Sequence, residues 1–485
     1  MSTQTSGGSG FGDYDRFVYV TAALAALNGL LFGFDTGVIS GAFLYIERSF
    51  QMTSLFGVEL GTAWVEGLVV SGALVGAVVG AAVGGRLADR IGRRRLILVG
   101  AAVFFVGSLL MAVAPTVEVL VIGRIIDGLA IGFASMVGPL YISEISPPKI
   151  RGSLVSLNQL AVTSGILVSY FVNYAFADSG AWRIMLGAGM IPAVVLGVGM
   201  LFMPESPRWL IEQGRDDDAR EVLSKTRDRT TVDEEMSDIK ETVAVESSDL
   251  RELLEPWVRP MLIVGVGLAV FQQVTGINTV IYYAPTILSS TGFGDSASIL
   301  ATVGIGVVNV VMTVVAISVI DRVGRRPLLL VGLGGMTATL VVLGAVFYLP
   351  GLSGVLGWVA TASLMLYVAF FAIGLGPVFW LLISEIYPLA VRGSAAGVAT
   401  VVNWAANLAV ALTFLQIVEL MGQSGTFWLY AALSLVGLAF CYFLVPETKG
   451  RSLEEIEADF RESAVGSAAG DATGDATGDG TPDDD

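Results

Sequence analysis

From Met261 to Gly294 the chain carries no charged residue, and eleven further apolar stretches begin near residues 17, 63, 96, 117, 153, 182, 296, 327, 354, 395 and 425. About 20 apolar residues in helical form cross a bilayer, so each of these stretches is read as a span. Within hydrocarbon the backbone must satisfy its own N–H and C=O groups, and continuous rather than alternating apolar runs do this as helices. The expectation is an all-α membrane protein with twelve transmembrane helices. The 54% hydrophobic and 14% charged residues fit that class and no ordinary soluble domain. The first 16 residues are polar and do not read as a secretion signal, so the first apolar stretch is read as a retained span.

The long uncharged run contains a conflict. Phe271 to Pro285 hold Gln272, Gln273 and Asn278, amides that lipid cannot satisfy, so they are expected to face protein or a wet cavity. On an ideal helix Gln272 and Asn278 would lie roughly 240° apart. Gly276 stands between them, where a bend or local unwinding would bring both to one side. Amides both donate and accept, which suits a neutral, hydroxyl-rich ligand. Tyr282, Asn309, Trp380, Asn403, Trp404 and Asn407 are further polar or amphipathic groups in apolar runs of the second half. Trp380 follows Gly374, Gly376 and Pro377, which weaken a helix where a moving gate would want a hinge. The commonest reading of a Trp in a span is an interface anchor, and Trp64 and Trp428 are read that way.

The chain has no His and one Cys, Cys441, so histidine triads, Cys-rich metal sites and internal disulfides are excluded by inventory. No nucleophile–base pair or metal constellation stands out, and neither an enzyme, a cofactor, a metal nor a nucleic-acid partner is expected. The net charge of −16 is concentrated in residues 204–259, with 16 acids against 9 bases, and in 446–485, with 12 against 3. The final stretch reads as a solvated, disordered tail. Acidic excess with 23 Arg against 4 Lys also fits a salt-rich, halophilic cytoplasm.

Bases fall in every second loop: Arg86 to Arg95, Lys149 to Arg151, 204–259, Arg322 to Arg326 and Arg392. The positive-inside rule puts these loops and both termini in the cytoplasm of a multi-pass cell-membrane protein. The loops also repeat. Asp89 to Arg94 (Asp-Arg-Ile-Gly-Arg-Arg) recurs as Asp321 to Arg326. Glu144 and Arg151-Gly-Ser recur as Glu385 and Arg392-Gly-Ser, and Pro204-Glu-Ser recurs as Pro446-Glu-Thr. The near-constant separation gives two six-helix halves, 17–203 and 260–445, joined by a linker at 204–259 that carries helix-forming stretches. A polar tail, 1–16, precedes them and an acidic tail, 446–485, follows. Parallel halves rocking about a midplane site are a common transporter plan.

Two charges lie inside spans. With the first span ending near Gly41 and the fourth starting near Val117, Asp35 and Arg124 lie about 9 Å and about 10 Å below the outer surface. Equal depth permits an ion pair, which lowers the cost of burying either charge. The pair reads either as a fixed structural bridge or as a proton-coupling switch. Asp127 is on nearly the same helical face as Arg124 and could compete for it.

Taken together, the paired Asp-Arg-x-Gly-Arg-Arg loops, Pro204-Glu-Ser-Pro-Arg208, Gln272-Gln273 with Asn278, and Pro446-Glu-Thr-Lys-Gly450 resemble the sugar porter family of the major facilitator superfamily, from about Arg16 to Phe460. Gly29 to Gly41 (Gly-Leu-Leu-Phe-Gly-Phe-Asp-Thr-Gly-Val-Ile-Ser-Gly), with Asp35, resembles the bacterial proton–xylose symporters, whereas animal glucose facilitators are neutral at the Asp35 position. The resemblance implies sugar ligands at Gln159, Gln272, Gln273, Asn278, Trp380, Asn403 and Trp404. Phe32, Tyr282 and Asn309 complete the expected site. Ile166 stands where the xylose symporters carry a second Gln, and Asn403 where they carry Gln and the glucose facilitators Asn. The resemblance also implies proton coupling by Asp35 and Arg124. It further implies a cytoplasmic gate in which Glu144, Arg151, Glu385 and Arg392 meet Arg93, Arg94, Arg325 and Arg326 across the cytoplasmic ends, beside Asp89 and Asp321, closing the inner side when the outer side is open. The expected function is monosaccharide import by proton symport through a monomer. The alternatives are an uncoupled sugar or polyol uniporter, a sodium-coupled symporter, and a non-transporting sugar sensor.

Overall fold

A computed structural model describes residues 16–227, 231–245, 253, 255–349, 355–388, 391–451, 455 and 457. The acidic end of the chain beyond 457 and the first 15 residues lie outside the described residues. The first half consists of α1 (Arg16–Ser49), α2 (Thr62–Ile91), α3 (Arg93–Ala112), α4 (Val117–Ile145), α5 (Arg151–Ala175), α6 (Trp182–Gly187) and α7 (Met190–Leu201). A two-stranded hairpin, β1 (Ser54–Leu55) and β2 (Val58–Glu59), sits between α1 and α2. Then come three short helices, α8 (Pro207–Glu212), α9 (Asp216–Thr226) and α10 (Val232–Val245). The second half consists of α11 (Arg259–Val274), α12 (Ile277–Ser289), α13 (Asp295–Val323), α14 (Arg325–Tyr348), α15 (Leu356–Ile373), α16 (Leu375–Glu385) and α17 (Arg392–Leu444).

Among the described residues eleven helical stretches are long and apolar enough to cross a membrane, with α6–α7, α11–α12 and α15–α16 each forming one stretch. The eleventh, α17, has 53 residues, and Gly422 interrupts it with non-helical φ 71° and ψ 171°. It is therefore two spans, and the all-helical, twelve-span expectation holds. One expected boundary moves: α1 runs on to Ser49 instead of ending near Gly41, so Asp35 lies deeper in its span than reckoned. The residues beyond Gly41 (Ala-Phe-Leu-Tyr-Ile) simply continue the apolar helix.

Small residues set how closely the spans approach. A Cβ at Gly128 of α4 would stand 1.8 Å from the Ala73 carbonyl oxygen of α2, and one at Gly33 of α1 would stand 1.8 Å from that of Val162 on α5. Lipid offers no hydrophobic drive between helices, so such backbone contact is how spans gain packing. Across the halves, α17 packs on α2, α13 on α5 and α12 on α1.

The short helices are tied to the bundle. Arg227, nearly fully buried, pairs with Glu235 at 2.7 Å and donates to the carbonyls of Ile145 at 2.8 Å and Ser146 at 2.9 Å. It thereby satisfies carbonyls that the end of α4 leaves open. Trp209, Leu210, Ile211, Ala219 and Val222 pack with Ile145 in a small apolar cluster of their own.

Candidate functional site

The seventh span breaks where its amides require it to. Gly276 adopts a left-handed conformation, φ 91° and ψ 15°, separating α11 from α12. Glycine enters this region without the steric cost that a Cβ brings. The break turns Asn278 back toward α11, and Asn278 Nδ2 donates to Gln273 Oε1 at 2.7 Å. Gln273 Nε2 donates to Asn403 Oδ1 at 3.1 Å and to Gln272 Oε1 at 3.2 Å. Asn403 Nδ2 donates to Gln272 Oε1 at 2.7 Å and to the Ala269 carbonyl at 3.1 Å. Gln272 Nε2 reaches the Leu375 carbonyl at 3.0 Å, at the gap between α15 and α16 that Gly374 opens. Four neutral amides thus form one connected cluster, three of them buried and Asn278 half-buried.

Other expected site residues surround this cluster in different degrees. Tyr282 Oη accepts from Asn407 Nδ2 at 3.3 Å. Trp380 is half-buried, edge-on to Phe379 at 4.8 Å. Trp404 is 3% exposed and crosses to the first half: its indole N–H donates to Ser135 Oγ on α4 at 3.1 Å, and its ring lies 5.2 Å from that of Phe32 on α1. Gln159 on α5 is half-buried, and among the described residues no hydrogen bond joins its side chain to the amide cluster. Asn309 on α13 is buried and likewise stands apart from the cluster. Asn173 is an interhelical tie, Nδ2 donating to the Gly37 carbonyl at 3.3 Å.

Beneath Phe32 on the same helix, Asp35 is 3% exposed and accepts from Nη1 of Arg124, which is 1% exposed. Arg124 Nη2 donates to the Val70 carbonyl of α2 at 3.1 Å. Tyr282 lies within electrostatic reach of both charges, so the ion pair and the second half's polar face are neighbours. The extra length of α1 leaves the Asp35–Arg124 pairing intact.

The Arg-rich end brings expected gate residues together within each half. Arg93 holds Glu144 through Nε at 3.0 Å and Nη2 at 3.1 Å, with Asp89 at 3.2 Å and Glu212 at 3.4 Å also in reach. Arg325 holds Glu385 through Nε at 3.1 Å and Nη2 at 2.7 Å, with Asp321 at 3.1 Å. Each bidentate pair lies within one half. The duplicated motif places the acid and the base of one copy on adjacent helices, closer than the other copy. Arg94 and Arg326 serve helix ends: Arg94 donates to the carbonyls of Met200 and Leu201 at 2.8 and 2.5 Å, and Arg326 to that of Tyr442. Arg392 Nε donates to the Tyr387 carbonyl at 3.1 Å, and Arg151 is exposed at the start of α5.

Two carboxylates go unnamed in the sequence-based site. Glu205 accepts the Arg94 N–H at 2.9 Å, and Glu447 accepts those of Arg325 at 3.0 Å and Arg326 at 3.1 Å. Each caps the helix that follows a glycine of positive φ, Gly92 at 99° and Gly324 at 106°. The repeated Pro-Glu dipeptide was their signal. Ser206 and Thr448 beside them donate to Glu144 and Glu385, each at 2.5 Å.

At the opposite end the halves do meet. Arg48 and Asp295 pair bidentately at 2.6 and 3.3 Å, and Ser296 donates to Asp178 at 2.9 Å. Below them Phe43 meets Tyr283 edge-on at 5.8 Å, and Tyr170 Oη donates to the Ile281 carbonyl at 3.2 Å.

Comparison with known proteins agrees with this architecture. The family model described as "Sugar (and other) transporter" matches residues 21–460. The glucose transporter GlcP of Staphylococcus epidermidis is 43% identical over 444 residues, 92% of this chain and 97% of that one. The galactose–proton symporter of Escherichia coli K12 is 42% identical over 437 residues, 90% of this chain and 92% of that one. A structure of the xylose transporter XylE from E. coli, in a partially occluded inward-open conformation, superposes with a TM-score of 0.79 at 33% identity, covering 90% of this chain and 100% of that one.

Proposed function

Because the chain belongs to the sugar transporter family of the major facilitator superfamily, not to an enzyme family, we propose that it imports a monosaccharide, a hexose or pentose, across the cell membrane together with a proton. The observation that carries the sugar assignment is the cluster of Gln272, Gln273, Asn278 and Asn403 at the break in the seventh span. Its members donate and accept and carry no charge, and Trp380 and the Phe32–Trp404 pair offer ring faces that suit the apolar side of a sugar. Gln159, half-buried on α5, and Asn309, buried on α13, are read as further hydroxyl-binding groups for the sugar.

Coupling rests on Asp35 and Arg124. A proton taken up by Asp35 removes one charge of the buried pair, releases Arg124 and shifts the balance between two arrangements of the halves. The galactose–proton symporter among the relatives supports this reading. With the Arg-rich loops and both termini in the cytoplasm, the Arg48–Asp295 end faces outward and is bridged between the halves, whereas the bidentate Arg93–Glu144 and Arg325–Glu385 pairs of the cytoplasmic end each lie within one half. The return stroke would bring the two Arg-rich networks together, and their exposed members, Asp89 and Asp321, are suited to weak pairs that form and part in each cycle.

The test is uptake of radiolabelled pentoses, hexoses and inositols by proteoliposomes with and without an imposed pH gradient. One or a few monosaccharides are expected to accumulate only with the gradient. Equal entry with and without it would make the protein an uncoupled carrier, and no entry of any sugar would defeat the transport reading.

A further inference from the structure

Asp35 accounts for one buried carboxylate beside Arg124, and α4 supplies a second. Asp127 is 1% exposed and lies one turn beyond Arg124. Opposite it on α3 are Gly107 and Ser108, and a Cβ at Gly107 would stand 2.9 Å from that of Asp127. Neither Oδ1 nor Oδ2 of Asp127 has a hydrogen-bond partner among the described residues, and Nε of Arg124 has none either. The groups that face Asp127 are Asp35 from α1, Ser108 from α3 and Arg124 from its own helix, while α2 offers the Val70 carbonyl to Arg124. Two carboxylates and one guanidinium carry a net negative charge deep in an oily interior, and they are neutral only with one proton bound.

We propose that Asp35 and Asp127 form a single proton-binding unit around Arg124, and that with Asp35 paired to Arg124, as here, the proton resides on Asp127. Proton transfer from the Asp127 carboxyl to Asp35 frees Arg124 to pair with Asp127 one turn away on α4. The exchange replaces a bond between α1 and α4 with one inside α4 and leaves the charge of the unit unchanged. The proton enters from the outer water and leaves to the cytoplasm, and no other reactant is needed. A sodium ion fits less well, because the guanidinium already places a positive charge at this spot, whereas a proton bonds to the carboxylate and removes charge. The inference rests on the proton-symport reading and adds the residue that holds the proton while the ion pair is closed.

Two measurements test it. In proteoliposomes the ratio of gradient-driven accumulation to downhill entry is expected to fall roughly tenfold or more in Asp127→Asn, and the Asp35→Asn/Asp127→Asn double variant is expected to be no worse than either single variant. Infrared spectra of the purified wild-type protein carrying carbon-13 aspartate are expected to show, at neutral pH, a protonated carboxyl band that shifts on labelling and disappears in Asp127→Asn. If wild type takes up sugar without protons, the symport reading fails and this inference with it. If wild type couples and Asp127→Asn couples equally well, only the Asp127 assignment falls. Absence of any protonated aspartate band in wild type overturns the assignment whether or not the variant folds.

Discussion

At the scale of single residues, Gln273 is the one side chain that bonds to all three other amides of the cluster, Gln272, Asn278 and Asn403. Gln273→Leu keeps the approximate volume but strands the half-buried Asn278 Nδ2 and the buried Asn403 Oδ1, and an abandoned buried group costs about 1–3 kcal/mol. The half-saturation constant for the transported sugar is therefore expected to rise about tenfold to a hundredfold, measured by counterflow in proteoliposomes. An unchanged constant would remove the cluster from the binding site. The cluster was legible in the chain because amides in an uncharged span have few places to go, and Gly276 marked where the helix would yield. Ser135 was not legible. A lone serine in a span has no local pattern, and its partner, Trp404, comes from the other half of the molecule.

Among elements, the clamp that ties the last span of each half to its third is the clearest case of one local solution used twice. Glu447 shows how it works. Burial acts to raise its pKa, but the N–H groups of Arg325, Lys449, Arg326 and Thr448 outweigh burial and hold the carboxyl below the usual carboxylate range. A depressed folded-state pKa contributes stability that is present above the unfolded value, about 4.3, and disappears as pH falls through the folded value. Thermal unfolding of detergent-solubilised protein is accordingly expected to separate wild type from Glu447→Gln at pH 7, with the two melting temperatures converging as pH drops below about 4. A constant gap across that window would mean that the charge on Glu447 is not what caps α14. Sequence repetition showed that these loops correspond, but not which acid meets which base. Copies of one motif look alike whether they bind within a half or across the halves, and only the helix packing puts Glu144 on Arg93 and Glu385 on Arg325.

For the molecule as a whole, the closed end is held by contacts of unequal weight. Arg48 and Asp295 are 58% and 28% exposed, and such surface pairs contribute about 1 kcal/mol or less. Phe43–Tyr283 and the Tyr170 hydrogen bond lie deeper and are buried. Arg48→Ala is thus expected to raise the population open at that end only about twofold to fivefold, read as the distance distribution between spin labels at exposed positions 59 and 294. The buried native Cys441 would not compete for the label. A wholesale switch, or no change, would show that this pair is weighted wrongly. The span count and the twofold repeat could be read directly from apolar runs and recurring loops. Which end is shut could not, because both arrangements use the same residues. The Trp404 indole, docked on Ser135, already spends its one donor on a hydroxyl from the other half. A newcomer can displace that hydroxyl without stranding the indole N–H only by bringing an oxygen of its own. A hydrocarbon of identical outline has nothing to exchange and is turned away at the threshold.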